Sequence, residues 1–166
     1  ASQIAFKEAR LAGLFAPFKP GVFLSALYGS PDAYRSKARL GVKYVIKRDE
    51  VLVGFREKAS PFVADMSDCS VLDQRIAALI APLKSMISSL TVKAAIPQIE
   101  VAASEDMVVL VVRHLEALVS EDVNILGQFS SKHGIRMMTQ AAGPESVIPL
   151  PGEAPAVLSY SLRGEG

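Results

Sequence analysis

Alternation between apolar and basic residues, from Lys37 to Lys47, is the feature that most restricts how this sequence folds. Ala38, Leu40, Val42, Tyr44 and Ile46 alternate there with Lys37, Arg39, Gly41, Lys43, Val45 and Lys47. Successive side chains of a β-strand point to opposite faces, so a period of two indicates a strand with one buried face. The stretch therefore predicts a half-buried strand, and the run VLVGFR after the KRDE turn predicts the second strand of a hairpin.

Positive charge is concentrated in the same part of the chain. Residues 34–58 hold eight Lys and Arg against three Asp and Glu, a net charge of +5. The remainder holds ten bases against fourteen acids, a net charge of −4, which leaves the whole chain at +1. The positive potential is thus local to one element and is suited to attracting a polyanion.

The predicted strand places its basic side chains in a solvent-facing row, with about 6.5 to 7 Å between successive members. The candidate RNA-binding residues are Arg35, Lys37, Arg39, Lys43 and Lys47. Such a row neutralises phosphates without reading bases. The alternative is an ordinary solvated sheet face, but five of the seven odd positions from 35 to 47 are basic and none is acidic. Because Arg35 begins the strand, the alternative for it is a side chain that faces inward or pairs with an acid.

The remaining patterns predict an α+β domain with a largely antiparallel β-sheet packed by two or three helices. An amphipathic helix is expected over residues 3–15, a short strand over 22–27, and a long helix capped by Ser70 that Pro82 kinks or splits. Strands are expected over 98–103 and 107–113, followed by a helix over 120–129 that Gly134 ends, a strand over 135–140 and a last strand over 156–162. We expect two regions: 1–33, a helix and linker, and 34–166, the α+β domain.

Residues of catalysis are scarce in this sequence. It has no glycine-rich phosphate loop and no zinc-spaced Cys/His cluster, and His114 and His133 are isolated. Cys69 is the single cysteine, so it is either a buried structural thiol or a metal ligand whose partner thiolates lie elsewhere.

Half of the residues are hydrophobic and the mean hydropathy is +0.30, which suggests apolar surface meant for a neighbour. No apolar run approaches the roughly 20 residues of a membrane span, so we expect a cytoplasmic protein without membrane contact.

Three short stretches carry a family resemblance: YRSKARL, then VGFREK, then DCSVL. Together they resemble the middle region of the bacterial RNA (uracil-5-)-methyltransferases, most closely the branch that acts on 23S ribosomal RNA. The run VVLVVRHLEALVSEDVNILGQFSSKHGI is similar to that branch as well.

The resemblance implies the central part of an S-adenosylmethionine-dependent methyltransferase that forms 5-methyluridine in 23S rRNA. In that family an RNA-binding barrel precedes this region, and three cysteines, including a C-G-G-C element, bind a [4Fe-4S] cluster with a fourth, more distant cysteine. Cys69 matches the fourth. The S-adenosylmethionine site, the catalytic cysteine and the general base belong to a C-terminal catalytic domain.

The resemblance therefore implies no catalytic residue in this chain, which is expected to be inactive alone and to bind neither cofactor by itself. Its expected partners are 23S rRNA and the family's barrel and catalytic domains, the latter contacting residues 1–33. The alternative is a free-standing, non-enzymatic nucleic-acid-binding or interaction module.

Overall fold

The computed structural model describes residues 2–160, which divide into two units after Ser30. The first unit contains helix α1 (Gln3–Phe15), capped by the Ser2 hydroxyl, which accepts from the amide of Ala5 at 3.2 Å. A short 3-10 turn (Ala16–Phe18) follows it. The helix is confirmed, but the strand predicted over 22–27 is wrong, because that segment has no neighbouring strand with which to form a ladder.

A six-stranded sheet forms the centre of the second unit. Its strands are β1 (Lys37–Val45), β2 (Glu50–Gly54), β3 (Gln98–Ala103), β4 (Val108–Arg113), β5 (Arg136–Gln140) and β6 (Val147–Pro149). The strand order is β2-β1-β3-β4-β5-β6, and every neighbouring pair is antiparallel except β4 and β5. That one parallel pair is joined by a helical crossover, as parallel neighbours require. The predicted α+β class with a largely antiparallel sheet is confirmed.

Three helices pack against one face of this sheet: α2 (Gln74–Ala77), α3 (Ile80–Ser88) and α4 (Ser120–His133). The fully buried side chains that they share with the strands include Leu40, Ile76, Leu83, Ile87, Ile99, Leu110, Leu126 and Met137. On β1 these are the even-numbered positions, so the odd-numbered ones lie on the face away from the helices. No helix within residues 2–160 is long and apolar enough to cross a bilayer.

Helix boundaries differ from the sequence prediction at one cap and one break. Asp73, not Ser70, caps α2, because its carboxylate accepts from the amide of Arg75 at 2.9 Å. The predicted split occurs before Ile80, which leaves Pro82 in the first turn of α3, where its missing N–H costs nothing.

The predicted helix and strand after residue 119 are present, but the last predicted strand is not. Helix α4 runs past Phe129 to His133 and ends as predicted at Gly134, whose φ is 61°. Residues 156–160 form no strand, contrary to prediction, and residues 161 and 162 lie outside the described part.

A polar cluster fixes the turn between β1 and β2. The Tyr44 hydroxyl donates to Asp49 Oδ1 at 2.7 Å, and Lys93 Nζ lies 3.1 Å from the same oxygen and 4.8 Å above the Tyr44 ring. The hydrogen bond from Tyr44, followed by that from Lys93, lowers the pKa of the Asp49 carboxyl. Asp49 also has a left-handed backbone (φ 45°), so the turn depends on this one residue for both its shape and its anchor.

Replacing Gly54 by alanine is expected to destabilise the second unit. A Cβ at this position would overlap the carbonyl oxygen of Ala64 and lie 2.9 Å from Met66 Cγ, so the backbone must shift. Overpacking of this kind costs about 1–3 kcal/mol or more, measurable as a lower free energy of unfolding in urea.

Gly127→Ala is the matched control for that substitution. Gly127 lies inside α4, where the nearest atom to a new Cβ is Leu150 Cδ2 at 3.7 Å, an ordinary contact. Because alanine is the better helix former by about 1 kcal/mol, this variant should be more stable than the parent. Equal effects of the two substitutions would contradict the close approach at Gly54.

Removing the charge of Asp49 is expected to reduce the loss of stability in acid. Its pKa is lowered in the folded state, so its contribution is present above the unfolded value, 3.8, and is lost as pH falls through the folded value. Asn tolerates the left-handed backbone. Thermal unfolding at pH 7 and at about pH 3 should therefore show a smaller decrease for Asp49→Asn than for the parent; an unchanged decrease would contradict the cluster.

Candidate nucleic-acid interface

Three of the five predicted basic residues form a row on the outward face of β1. Lys37, Arg39 and Lys43 are exposed, whereas Ala38, Leu40 and Val42 between them are buried in the core. The row has a gap at Gly41, which carries no side chain. The apolar and basic faces predicted from the alternation are thus confirmed from Lys37 to Lys43.

Arg35 lies before the strand and its guanidinium is engaged elsewhere. Its backbone bridges to Leu72, and its Nε donates to the carbonyl of Lys37 at 3.1 Å. The guanidinium carbon is 4.9 Å from the centre of the Phe55 ring, a cation–π contact with a side chain that packs against the core. Arg35 therefore adds charge at the end of the row, but from a fixed position.

Lys47 does not continue the row, so its predicted place on the strand is wrong, whereas its contact with RNA stays a prediction. The strand ends at Val45, and Ile46–Arg48 form a 3-10 turn in which Ile46 is 78% exposed instead of buried. The tight turn closed by Asp49 ends the period of two earlier than the residue pattern indicates. Lys47 is exposed on this turn, apart from the other three lysine and arginine side chains.

Arg39 is paired with an acid on the neighbouring strand, whereas the two lysines are not. Its guanidinium lies 2.8 Å from Glu100, the residue directly opposite on β3, and Gln98 donates to the same carboxylate. Arg39 is 68% exposed, so the pair contributes only about 0–1 kcal/mol to stability but orients the guanidinium. Lys37 and Lys43 have no acidic partner within residues 2–160.

Arg56 is a further basic residue on this face that the alternation did not assign. Its side chain lies across Gly41, with Cγ 3.1 Å from the place a Cβ would occupy there, and its Nη2 donates to the carbonyl of Pro97 at 3.3 Å. The hairpin register would have indicated it, because Gly41 faces Gly54 and continuing that register sets Arg39 opposite Arg56.

Cys69 is half-buried and packs against the hydrophobic core. Its amide donates to Asp68 Oδ1 at 2.7 Å, and it lines a depression with Asp32, Ser70 and Gln74. Within residues 2–160 no three His, Cys, Asp or Glu side chains are placed to hold a metal ion. A [4Fe-4S] cluster requires four ligands, so one thiolate does not suffice, and this chain does not fit the cluster on its own.

Asp73, His114 and His133 have contacts that stabilise the fold. The hydrogen bond from the Arg75 guanidinium holds the pKa of the Asp73 carboxyl below its usual range at the start of α2. His114 Nδ1 lies 2.8 Å from the carbonyl oxygen of Glu116, and the His133 ring lies 4.4 Å from that of Phe129. Both histidines thus have structural partners within the described residues.

Comparison with known proteins identifies relatives along nearly the whole chain. A 23S rRNA (uracil(1939)-C(5))-methyltransferase RlmD of Nitrosospira multiformis is 46% identical over 143 residues, covering 86% of this chain and 33% of that protein. The enzyme of the same name from Bordetella pertussis is 41% identical over 165 residues, covering 98% of this chain and 35% of that protein. No protein-family model matches the chain.

A solved structure shares the fold. The crystal structure of Pyrococcus abyssi tRNA (uracil-54, C5)-methyltransferase in complex with S-adenosyl-L-homocysteine matches 89% of this chain and 36% of its own, with a TM-score of 0.59 and 16% identity. At that identity the match concerns the fold alone.

These relatives belong to the family that the three stretches of the sequence resemble. The chain spans about a third of the length of the relatives that it matches. It is homologous to a segment of the bacterial 23S rRNA (uracil-C5)-methyltransferases, and the resemblance is thereby confirmed.

Proposed function

We propose that this chain is the central, RNA-binding part of an S-adenosylmethionine-dependent methyltransferase that forms 5-methyluridine in 23S rRNA. The observation that carries the proposal is the 41–46% identity, over 86–98% of the chain, to proteins with that named activity. The neighbour with bound S-adenosyl-L-homocysteine, which shares the fold, supports the choice of methyl donor.

The contribution of this chain is to hold RNA through its phosphates. Lys37, Arg39 and Lys43 lie along one extended strand, where alternate residues are about 6.5–7 Å apart. They point away from the core, and Arg56 adds a further cation over Gly41, between Arg39 and Lys43. Arg35 and Lys47 add positive charge at the two ends. Contacts of this kind position RNA but do not select a base.

The chemistry itself is assigned to residues outside this chain. A cysteine thiolate adds to C6 of uracil, the resulting carbon nucleophile at C5 takes the methyl group, and a base removes the C5 proton as the thiolate leaves. S-adenosylmethionine, held by residues outside this chain, would supply the methyl group and leave as S-adenosylhomocysteine. The basic row would hold the substrate RNA while these steps occur.

The first unit is proposed to contact the catalytic domain of the same protein. No residue of α1 is buried, and large apolar side chains stay exposed: Phe6 (67%), Leu14 (64%) and Phe18 (77%). Apolar surface of this extent indicates an interaction site. An adjoining domain of the same protein would cover it.

Cys69 is proposed as one ligand of a [4Fe-4S] cluster whose other three thiolates come from outside this chain. It lies in an open depression, and its backbone is held by the carboxylate of Asp68 and by the bond from Leu72 N to Cys69 O. Such backbone anchoring would fix the Cα–Cβ bond from which the thiol extends before a cluster binds.

Neutralising the basic row is expected to weaken RNA binding uniformly. In the full-length protein containing this chain, Lys37→Gln, Arg39→Gln and Lys43→Gln should each lower the affinity for a 23S rRNA fragment, measured by fluorescence anisotropy. Each should reduce the slope of log K against log salt by about 0.7, the value for one single-strand phosphate. For methyl transfer, kcat/KM should be lower than in the parent, whereas kcat at saturating RNA should be unchanged.

Two further variants serve as controls: one removes a positive charge far from the row, and the other removes a negative charge beside it. Lys132→Gln removes one positive charge from the exposed surface of α4, a helix that packs on the opposite face of the sheet, and should change nothing. Glu100→Gln removes the acid beside Arg39 and should strengthen binding. If the row variants behave like Lys132→Gln, this face does not bind RNA; if the full-length protein methylates no RNA, the enzymatic assignment fails.

Replacing Cys69 is expected to remove iron from the full-length protein purified without oxygen. Cys69→Ser should lower both the iron content per chain and the visible absorbance of the cluster, because a thiolate ligand is lost. Ser70→Ala, next to it in the same depression, is the control and should retain full iron. Iron that is equal in the two variants would show Cys69 to be a structural thiol.

A further inference from the structure

A small cavity lies at the end of the basic row, where β1 extends beyond β3. Pairing between these strands stops at Gly41 and Gln98, whereas β1 continues to Val45 in its pairing with β2. The segment before β3 turns away at Pro97, whose carbonyl accepts from the amide of Val42 at 3.0 Å. The space left beside the strand is about 260 Å³.

A short hairpin after β2, residues 56–63, forms one wall of the cavity on the outward face of the sheet. We call this hairpin the finger. A bridge between Arg56 and Val63 and a hydrogen bond from Glu57 N to Phe62 O at 3.1 Å hold its two sides together. Val63 is buried, with Cγ2 2.9 Å from the place of a Cβ on Gly41. The finger is therefore seated on the sheet by a contact that only glycine at position 41 permits.

Two cations line this cavity, and its lining contains no acid. Lys43 comes from β1 and Arg56 from the finger, and the other walls are mainly apolar, including Pro61 and Pro97. The Arg56 guanidinium has five N–H donors, of which one is used by the carbonyl of Pro97. The Lys43 ammonium has no acidic partner within residues 2–160, so both cations remain available to an anion.

We propose that this cavity binds one phosphate group of the RNA strand, with the attached sugar against the proline walls. The inference rests on the proposed RNA-binding function and names the place where the strand leaves the basic row. The size supports it, because sites for whole cofactors measure about 300–1,000 Å³, whereas a phosphate and its sugar need less. Arginine fits the phosphate geometry with two parallel donors, and lysine adds a point charge.

The test measures RNA affinity of the full-length protein at several salt concentrations, with variants on both walls of the cavity. Arg56→Gln and Lys43→Gln should each weaken binding about tenfold, since each removes a charge-assisted hydrogen bond. The double variant should lose less than the product of the two, because both side chains hold the same phosphate. Lys58→Gln, which removes a charge from the finger tip outside the cavity, should bind as the parent does.

A series of RNAs, each with one phosphate replaced by an uncharged methylphosphonate, identifies the bound group. One position should weaken binding to the parent protein and have no further effect on Arg56→Gln. Because Arg56 also packs on Gly41, its variant is checked by urea unfolding, and Arg56→Lys, which keeps the charge but loses the paired donors, should bind with intermediate affinity.

The outcomes separate this inference from the proposed function. If Lys37→Gln and Arg39→Gln weaken binding while Arg56→Gln and Lys58→Gln behave alike, the row binds RNA and the cavity does not. If no methylphosphonate position couples to Arg56, the cavity holds no single phosphate. If the parent protein fails to bind 23S rRNA at all, both proposals are overturned.

Discussion

Burial of the even-numbered side chains of β1 is the constraint on which the candidate interface depends. Leu40 is fully buried and belongs to the same core as Leu83 of α3 and Leu110 of β4. A shift of one residue in the pairing of β1 would exchange its two faces, bringing lysine and arginine into the core. The hydrophobic core thus fixes the register of β1, and that register forces Lys37, Arg39 and Lys43 outward.

Two glycines determine what lies above the outward face. Gly54 allows the backbone at Ala64 to pass within contact of β2, and Gly41 makes room for both Val63 and Arg56. These close approaches seat the finger beside the basic row and bring Arg56, distant from Lys43 in sequence, to the same cavity. A side chain at either glycine would push the finger away from the sheet, so the two positions link packing to the proposed RNA contacts.

The two units divide the proposed roles between them. Residues 31–160 contain all of the buried hydrophobic residues in the described part of the chain, and their sheet has a face that carries cations with few acids. Residues 2–30 contain helix α1, whose exposed apolar side chains suit the proposed contact with another domain. The chain spans about a third of the length of its relatives, which agrees with a part that positions a substrate while chemistry occurs elsewhere.

Local pattern in the sequence determined the strands, helices and their faces wherever one residue period continued without interruption. The alternation on β1, the helical period of α1 and the stop at Gly134 were all predictable, because each depends on neighbours within a few positions. The early end of β1 at Val45 was not, since it follows from the turn held by Tyr44, Asp49 and Lys93, and Lys93 is far away in sequence.

Only the tertiary structure decided which basic residues share a site. The pairing of Arg39 with Glu100, the stacking of Arg35 on Phe55 and the placing of Arg56 over Gly41 all join residues from different elements. A sequence shows how much charge a segment carries, but the acids that neutralise it and the backbone that makes room for it come from strands paired across the sheet. The charge on this face and the row on β1 were therefore determined by the sequence, and the ion pair, the turn and the cavity by the fold.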